Sequence, residues 1–294
     1  MGAVYISIIL GCRVVQHLCT KKSSSKVNTM SCFWKYGSFR HLLSGLLGLV
    51  LILIGGNQIR FESRTLLISV FSGITLAAST GFNLIALKEG TVALASLFGT
   101  AGILVPCIAG IFLFGKPMTG GQWAGILLFF VAAYFLISSS NRIYQGFSVK
   151  TFLVLLGVML SEGFTMLSQQ MFAFYVPDGD VSVFSFFSFG TVGGVMLIIS
   201  LLSGRKKEDN KGPELTLDLL IMGALLSIAV FVINQLATMA ASIVSPVVLF
   251  TFINGGSTII GAIVAAIFFK EKITLRSATG IVLGVLALII IKVF

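Results

Sequence analysis

Glu162 and Arg13 each interrupt an apolar stretch of roughly bilayer length. A bare charge at membrane depth costs roughly 3 kcal/mol on insertion scales unless it is protonated, paired or wetted. Of the ten acidic residues, Glu162 alone lies well inside such a stretch. A carboxyl there can take up a proton and release it in step with a substrate, or it can serve as half of a structural ion pair. Arg13, Gln16, His17 and Thr20 recur at i, i+3, i+4 and i+7, which is one face of a helix. That face is polar on an otherwise apolar helix, so it should look inward, where Arg13 offers a counter-charge or a dock for a substrate carboxylate. His17 can titrate near neutral pH or anchor the helix at the interface. Gln169 follows Glu162 by two turns on the same face, with Gln170 one step round, and Asn83, Asn234, Gln235 and Asn254 are further amides within apolar stretches. Such amides bind ligands or hold helices together. The residues expected to matter are Glu162 for coupling, and Arg13, Gln16, His17, Asn83, Gln169 and Asn234 for substrate contacts.

The elements that must position them are helices in a bilayer. The chain is 56% hydrophobic and 10% charged, against roughly 25% charged in a soluble domain. Ten apolar stretches, 1–20, 40–57, 65–87, 90–115, 119–139, 150–175, 181–203, 215–241, 243–269 and 275–293, leave almost nothing for a soluble module. The opening stretch lacks a basic leader and a small-residue cleavage site, so it reads as the first span rather than a signal peptide. The segments 21–36 and 204–214 are basic solvated joints. A net charge of +10 in such loops speaks of membrane topology, not nucleic acid. Cys12, Cys19, Cys32 and Cys107 lack metal-ligand spacing and read as small core residues. Gly121 and Gly125, Gly190 and Gly194, and Gly280 and Gly284 are helix-packing pairs, within one chain or in a homodimer. Pro106 and Pro246 stand in or near the fourth and ninth stretches, where they can kink helices that flex. No phosphate-binding loop, zinc motif or nucleophile elbow is present, so neither a cofactor, nor a metal, nor enzyme chemistry is expected.

The sequence also repeats. FLFGKPMTGGQWAGILL (112–128) is similar to IFFKEKITLRSATGIVL (267–283), aligning Thr119 with Thr274 and Gly125 with Gly280; GFNLIA (81–86) is similar to VINQLA (232–237), aligning Asn83 with Asn234. The expected fold is an all-α integral membrane protein, ten transmembrane helices arranged as two inverted five-helix repeats, residues 1–140 and 150–294. An odd number of spans per half inverts the second half. The first and sixth helices would then face each other, bringing Arg13 and Glu162 together across a central cavity. Fifteen lysines and arginines fall in loops after odd-numbered stretches, against Arg60, Arg64 and Lys116 after even-numbered ones. The positive-inside rule puts the first set in the cytoplasm and both termini outside.

With two halves and the joints GKPMT (115–119) and KEKIT (270–274), the chain resembles the drug/metabolite transporter superfamily in its ten-helix EamA-like branch. Those joints are similar to the family's short G-E-K-x-T turn, the glycines Gly125 and Gly280 after them fit, and the opening MGAVYISIILG is similar to that of some members. Lys116–Pro117 replaces Glu-Lys in the first joint, and tryptophan, common in the family's first and sixth helices, is absent from both. The resemblance implies termini in the cytoplasm, against the charge count. It also implies transport, and the related small multidrug resistance family carries an essential glutamate in the helix that corresponds to that of Glu162. The functional expectation is a secondary transporter in the plasma membrane of a bacterial cell. It would move a small metabolite, amino acid-like compound or amphipathic drug by alternating access, coupled to an ion or proton gradient or to exchange. The other reading is a lipid-handling protein, a flippase or a membrane enzyme.

Overall fold

The computed structural model describes residues 1–24, 26–27, 29–55, 62–88, 92–115, 117–138, 149–203, 215–269 and 274–294. Among the described residues there are helices and turns and no strand. They are α1 (Gly2–Ser24), α2 (Met30–Ile54), α3 (Ser63–Lys88), α4 (Val92–Ala101), α5 (Leu104–Phe114), α6 (Gly120–Ser138), α7 (Val149–Tyr175), α8 (Val181–Ser203), α9 (Leu217–Ala241), α10 (Pro246–Phe250), α11 (Gly256–Phe269) and α12 (Leu275–Val293), with a π-helical turn at Thr251–Gly255 between α10 and α11. Seven helical segments are long and apolar enough to cross a membrane, and three shorter apolar helices accompany them. Large apolar side chains such as Leu53, Phe112, Leu127, Leu201 and Ile267 stand exposed on their outer faces. A bundle that saturates its backbone internally while presenting such faces suits a multi-pass membrane protein.

The helices follow the apolar stretches, with three departures. First, α2 begins at Met30 rather than near residue 40. Thr29 accepts a hydrogen bond from the Cys32 amide and caps the helix. The basic joint expected over 21–36 is therefore short, and Lys35 and Arg40 lie inside a helix. Second, the fourth stretch breaks at Gly102. A Cβ there would stand 2.8 Å from the Met159 carbonyl oxygen and 2.9 Å from the Gly163 amide, so α7 passes too close for a side chain. Third, the ninth stretch is divided by the π turn. Both prolines sit in first turns, Pro106 within α5 and Pro246 at the start of α10, where the missing N–H costs no intrahelical bond. The joint after Phe114 turns on Gly115, whose φ of +60° favours glycine. The expected boundary at 140–150 and the KEKIT turn at 270–273 fall largely or wholly outside the described residues.

Packing partners follow a regular scheme. α2 packs on α8 and α6 on α12; α3 packs on α7 and on α8; α1 packs on α9 and α2 on α9; α4 packs on α7 and α1 on α11. The main core gathers Ile9, Ile103, Cys107, Phe129, Met166, Ile233, Phe250 and Ile291 from both halves of the sequence. Gly121 and Gly125 seat Phe294 and Ile291, and Gly284 abuts Ile259 and Ala132, so these small-residue pairs serve packing within the chain. The two ends of the bundle are tied differently. Lys26 Nζ donates to Asp218 at 2.8 Å, joining the α1–α2 joint to the start of α9. Gly2 rests on Val244, and Glu62 shares a recess with Asp178, Asp180 and Met239. The N-terminus and the joints after α2, α7 and α9 thus lie at the opposite end.

Candidate functional site

The centre of the bundle holds a cavity of about 310 Å³ lined from α1, α2, α3, α7, α8, α9, α10 and the π turn. α7 supplies its floor, with Glu162, Thr165, Met166 and Gln169 on one face. The depth of that face is set by glycine. A Cβ on Gly163 would meet the Gly102 carbonyl oxygen at 2.7 Å and Val105 at 2.5 Å, and a Cβ on Gly99 of α4 would touch Glu162 Cγ at 3.8 Å. The break between α4 and α5 therefore lets α7 nest one residue from its carboxylate.

Glu162 is hydrogen-bonded through one oxygen. Ser79 Oγ donates to Oε1 at 2.5 Å and Asn83 Nδ2 at 3.4 Å, while Asn83 also donates to the Ser79 carbonyl at 3.0 Å. Two turns along, Gln169 Nε2 donates to Asn234 Oδ1 of α9. Asn83 and Asn234, aligned by the repeat, both serve α7 from inside the cavity. Arg13 enters from α1 and donates through Nη1 to Gln16 Oε1 at 2.7 Å. The charges of Arg13 and Glu162 interact across the cavity, yet among the described residues no hydrogen bond or ion pair joins them. Asn254 also lines the space and donates to Met166 Sδ at 3.3 Å.

Of the residues singled out from sequence, Arg13, Gln16, Asn83, Glu162, Gln169 and Asn234 line this one cavity. His17 points elsewhere. Its Nε2 lies 3.0 Å from both the carbonyl and the hydroxyl of Ser257, over Gly261 of α11. Gln170 is buried and donates to the Ala241 carbonyl at 3.3 Å. Sequence reasoning does not single out Arg40 and His41 of α2, nor the hydroxyls of Ser79 on α3 and Thr165 on α7, all of which line the cavity. Arg40 Nη2 donates to His41 Nε2 at 3.0 Å, and the Arg40 carbonyl accepts from the hydroxyls of Ser44 and Ser227. The available signal was the row of small and polar residues, Gly37, Ser38, Ser44, Gly45 and Gly48, which form the buried face of α2 and continue the helix through Arg40.

A second recess of about 970 Å³ opens at the end where α7 meets α8, lined by Glu62, Asp178, Asp180, Ser182 and Gln235. Between it and the central cavity stands a polar layer. Asn234 faces the cavity and bonds Gln169, whereas its neighbour Gln235 faces the recess, accepts from Ser185 Oγ at 2.8 Å and donates to Ser182 Oγ at 3.0 Å. At the other end the cavity lining reaches Phe33, in the first turn of α2. Such a chamber, charged inside and shut toward one end by amide and hydroxyl contacts, can hold a small polar solute.

No family profile matches this chain, and no curated protein does. Among solved structures, one described only as "Crystal structure of protein" is similar over 98% of this chain and 96% of its own, with a TM-score of 0.78 and 15% identity. At that identity the likeness shows the shared fold and nothing about activity.

Proposed function

We propose that the protein is a secondary transporter that moves a small polar solute through the central cavity by alternating access. The observation that carries this reading is the cavity itself: charged and amide side chains from both halves of the sequence converge on one space in the middle of an apolar bundle. Polar groups at membrane depth are costly, and they gather where a pathway needs them. In the same reading ten helical spans form two inverted repeats. Exchanging each helix with its counterpart five spans later maps the packing scheme onto itself: α3 on α7 becomes α9 on α1, α3 on α8 becomes α9 on α2, and α4 on α7 becomes α11 on α1. Both halves interrupt their fourth span, as discontinuous helices do beside transporter sites. Thr119 and Thr274 each stand immediately before the last helix of their half. In the same reading the chain is a member of the EamA-like branch of the drug/metabolite transporters, placed in the bacterial cell membrane.

The test is counterflow in proteoliposomes, using labelled small acids, amino acids and lipophilic cations, with fluorescent phospholipid as a control. Saturable, protein-dependent flux of a solute is the expected result. Phospholipid scrambling without solute flux would replace this reading with a lipid-handling one.

A further inference from the structure

We infer that the cavity takes a small organic oxyanion, a carboxylate or sulfonate, on Arg13 and Arg40, and that a proton on Glu162 binds with the anion rather than against it, making the carrier a proton–anion symporter. The inference rests on the cavity being the transported solute's site. It adds the chemical class of the solute and the sign of its coupling.

The cavity holds two guanidinium groups and one carboxylate. Neither guanidinium is used on that carboxylate. Arg13 and Arg40 each donate one N–H to a neighbouring neutral group, Gln16 and His41, and the Nε of each is buried without a partner. Arginine can only donate, so His41 accepts through Nε2 and, as the neutral imidazole, carries its hydrogen on Nδ1. That atom too is buried and unpartnered. Three N–H donors of residues that line the cavity are therefore buried without acceptors, which is costly. A planar oxyanion is the ligand that two guanidiniums and an imidazole N–H accommodate, because it brings several acceptors and a negative charge together. A cation would meet the two guanidiniums and could gain only Glu162, whose Oε1 already accepts from Ser79 and Asn83.

The coupling sign follows from the same charges. Glu162 shares the lining with Arg13 of α1, whose charge it feels, and with Arg40 and His41 of α2. The lining contributed by α3, α9, α10 and the π turn is otherwise hydroxyl, amide or apolar, and α4 and α5 bring no charge to it. An arriving anion brings a second negative charge into the lining that Glu162 shares, and a proton carried in with it removes the repulsion between the two. By linkage, a protonated Glu162 strengthens anion binding equally. A cationic solute would instead compete with the proton, and the carrier would exchange them.

Calorimetric binding to the purified full chain tests this, with L-lactate, L-glutamate and ethanesulfonate as anions, L-leucine as zwitterion and tetraphenylphosphonium as cation, at about pH 6 and about pH 8. None of these probes titrates in that window. The expected result is that an anion binds and that its apparent Kd tightens toward the lower pH, by up to about tenfold per pH unit for one linked proton. Glu162→Gln should bind that anion at the higher pH as tightly as the native chain does at the lower, with no pH dependence. Arg40→Gln and Arg13→Gln should each weaken it at least tenfold while melting as folded proteins. Arg40→Lys separates charge from fork geometry and should recover part of the affinity. Tetraphenylphosphonium binding more tightly at the higher pH, and lost in Glu162→Gln, would overturn the inference and leave the transporter reading standing. Anion binding without pH dependence, or with a dependence that persists in Glu162→Gln and vanishes in His41→Gln, would overturn the role of Glu162. No binding by any probe, together with no solute flux in proteoliposomes, would overturn both readings.

Discussion

Ser79 is placed to decide how Glu162 is held. Its hydroxyl makes the short hydrogen bond to Oε1, and the remaining contact, from Asn83, is long at 3.4 Å. Ser79→Ala should lower stability by about 1.5–3 kcal/mol, the range for a hydrogen bond to a charged group, and Ser79→Thr, which keeps the hydroxyl, should lose less. Thermal unfolding in detergent checks both. His17 makes a contrasting case. Bonded to Ser257 and seated over Gly261, it fastens α1 to α11. His17→Ala should lower the melting temperature yet leave solute affinity within about twofold, whereas a large affinity loss would return His17 to the binding site. The six residues that line the cavity were legible because a polar type inside an apolar stretch has few other reasons to be there. The helical face Arg13–Gln16–His17 misassigned its third member because spacing gives an angle around α1, not which neighbour fills that angle. Gly261 on a distant helix provides the seat for the ring, and no local pattern announces it. Arg40 and His41 are hard to read because a charge at the edge of an apolar stretch looks like the end of a span, whereas the capped helix begins ten residues earlier at Met30.

At the level of helices, close approach and polar closure make separate predictions. Gly163 faces backbone: an added Cβ would come within 2.7 Å of the Gly102 carbonyl. Gly163→Ala should therefore cost about 1–3 kcal/mol as overpacking and push α7 away from the α4–α5 break, reducing flux as well as melting temperature. Around Gly190 a Cβ meets nothing within 4 Å, so Gly190→Ala should be neutral or slightly stabilising through helix propensity. The Gln169–Asn234 bond and the Gln235–Ser182–Ser185 cluster close the cavity toward the acidic recess. Removing the first with Gln169→Ala should raise the rate at which an impermeant maleimide reaches Thr165→Cys from the recess side, in a chain whose native cysteines are replaced; an unchanged rate would show that other groups carry the closure. The apolar stretches located these helices, since length and hydropathy are local properties. The breaks at Gly102 and at Thr251–Gly255 were not visible, because both arise where a neighbouring helix or a cavity meets the backbone.

Across the whole molecule, the contacts separate two ends, and charge distinguishes them. One end gathers the N-terminus, Glu62, Asp178 and Asp180; the other gathers the α1–α2 joint and the start of α9, tied by Lys26 and Asp218. Leaving out Lys35 and Arg40, which lie inside α2, thirteen of the lysines and arginines assigned to joints after odd-numbered stretches remain, against three. Basic loops resist translocation, so the acidic end should face outward. The cavity lining extends to Phe33, toward the basic end, while the amide and hydroxyl layer shuts the acidic end. In that orientation the end without that layer faces the cytoplasm. A cysteine-free chain carrying Asp180→Cys should react with an impermeant maleimide on intact cells, and one carrying Lys22→Cys only after permeabilisation. The reversed pattern would place both termini inside, as the family resemblance implies, and would make the closed layer the cytoplasmic gate. Either result fixes which face a proton must enter to reach Glu162 together with its anion: in the first case the outward-facing form must open past Gln169 and Asn234 before uptake begins, so loss of that bond should speed entry from outside more than exit from within.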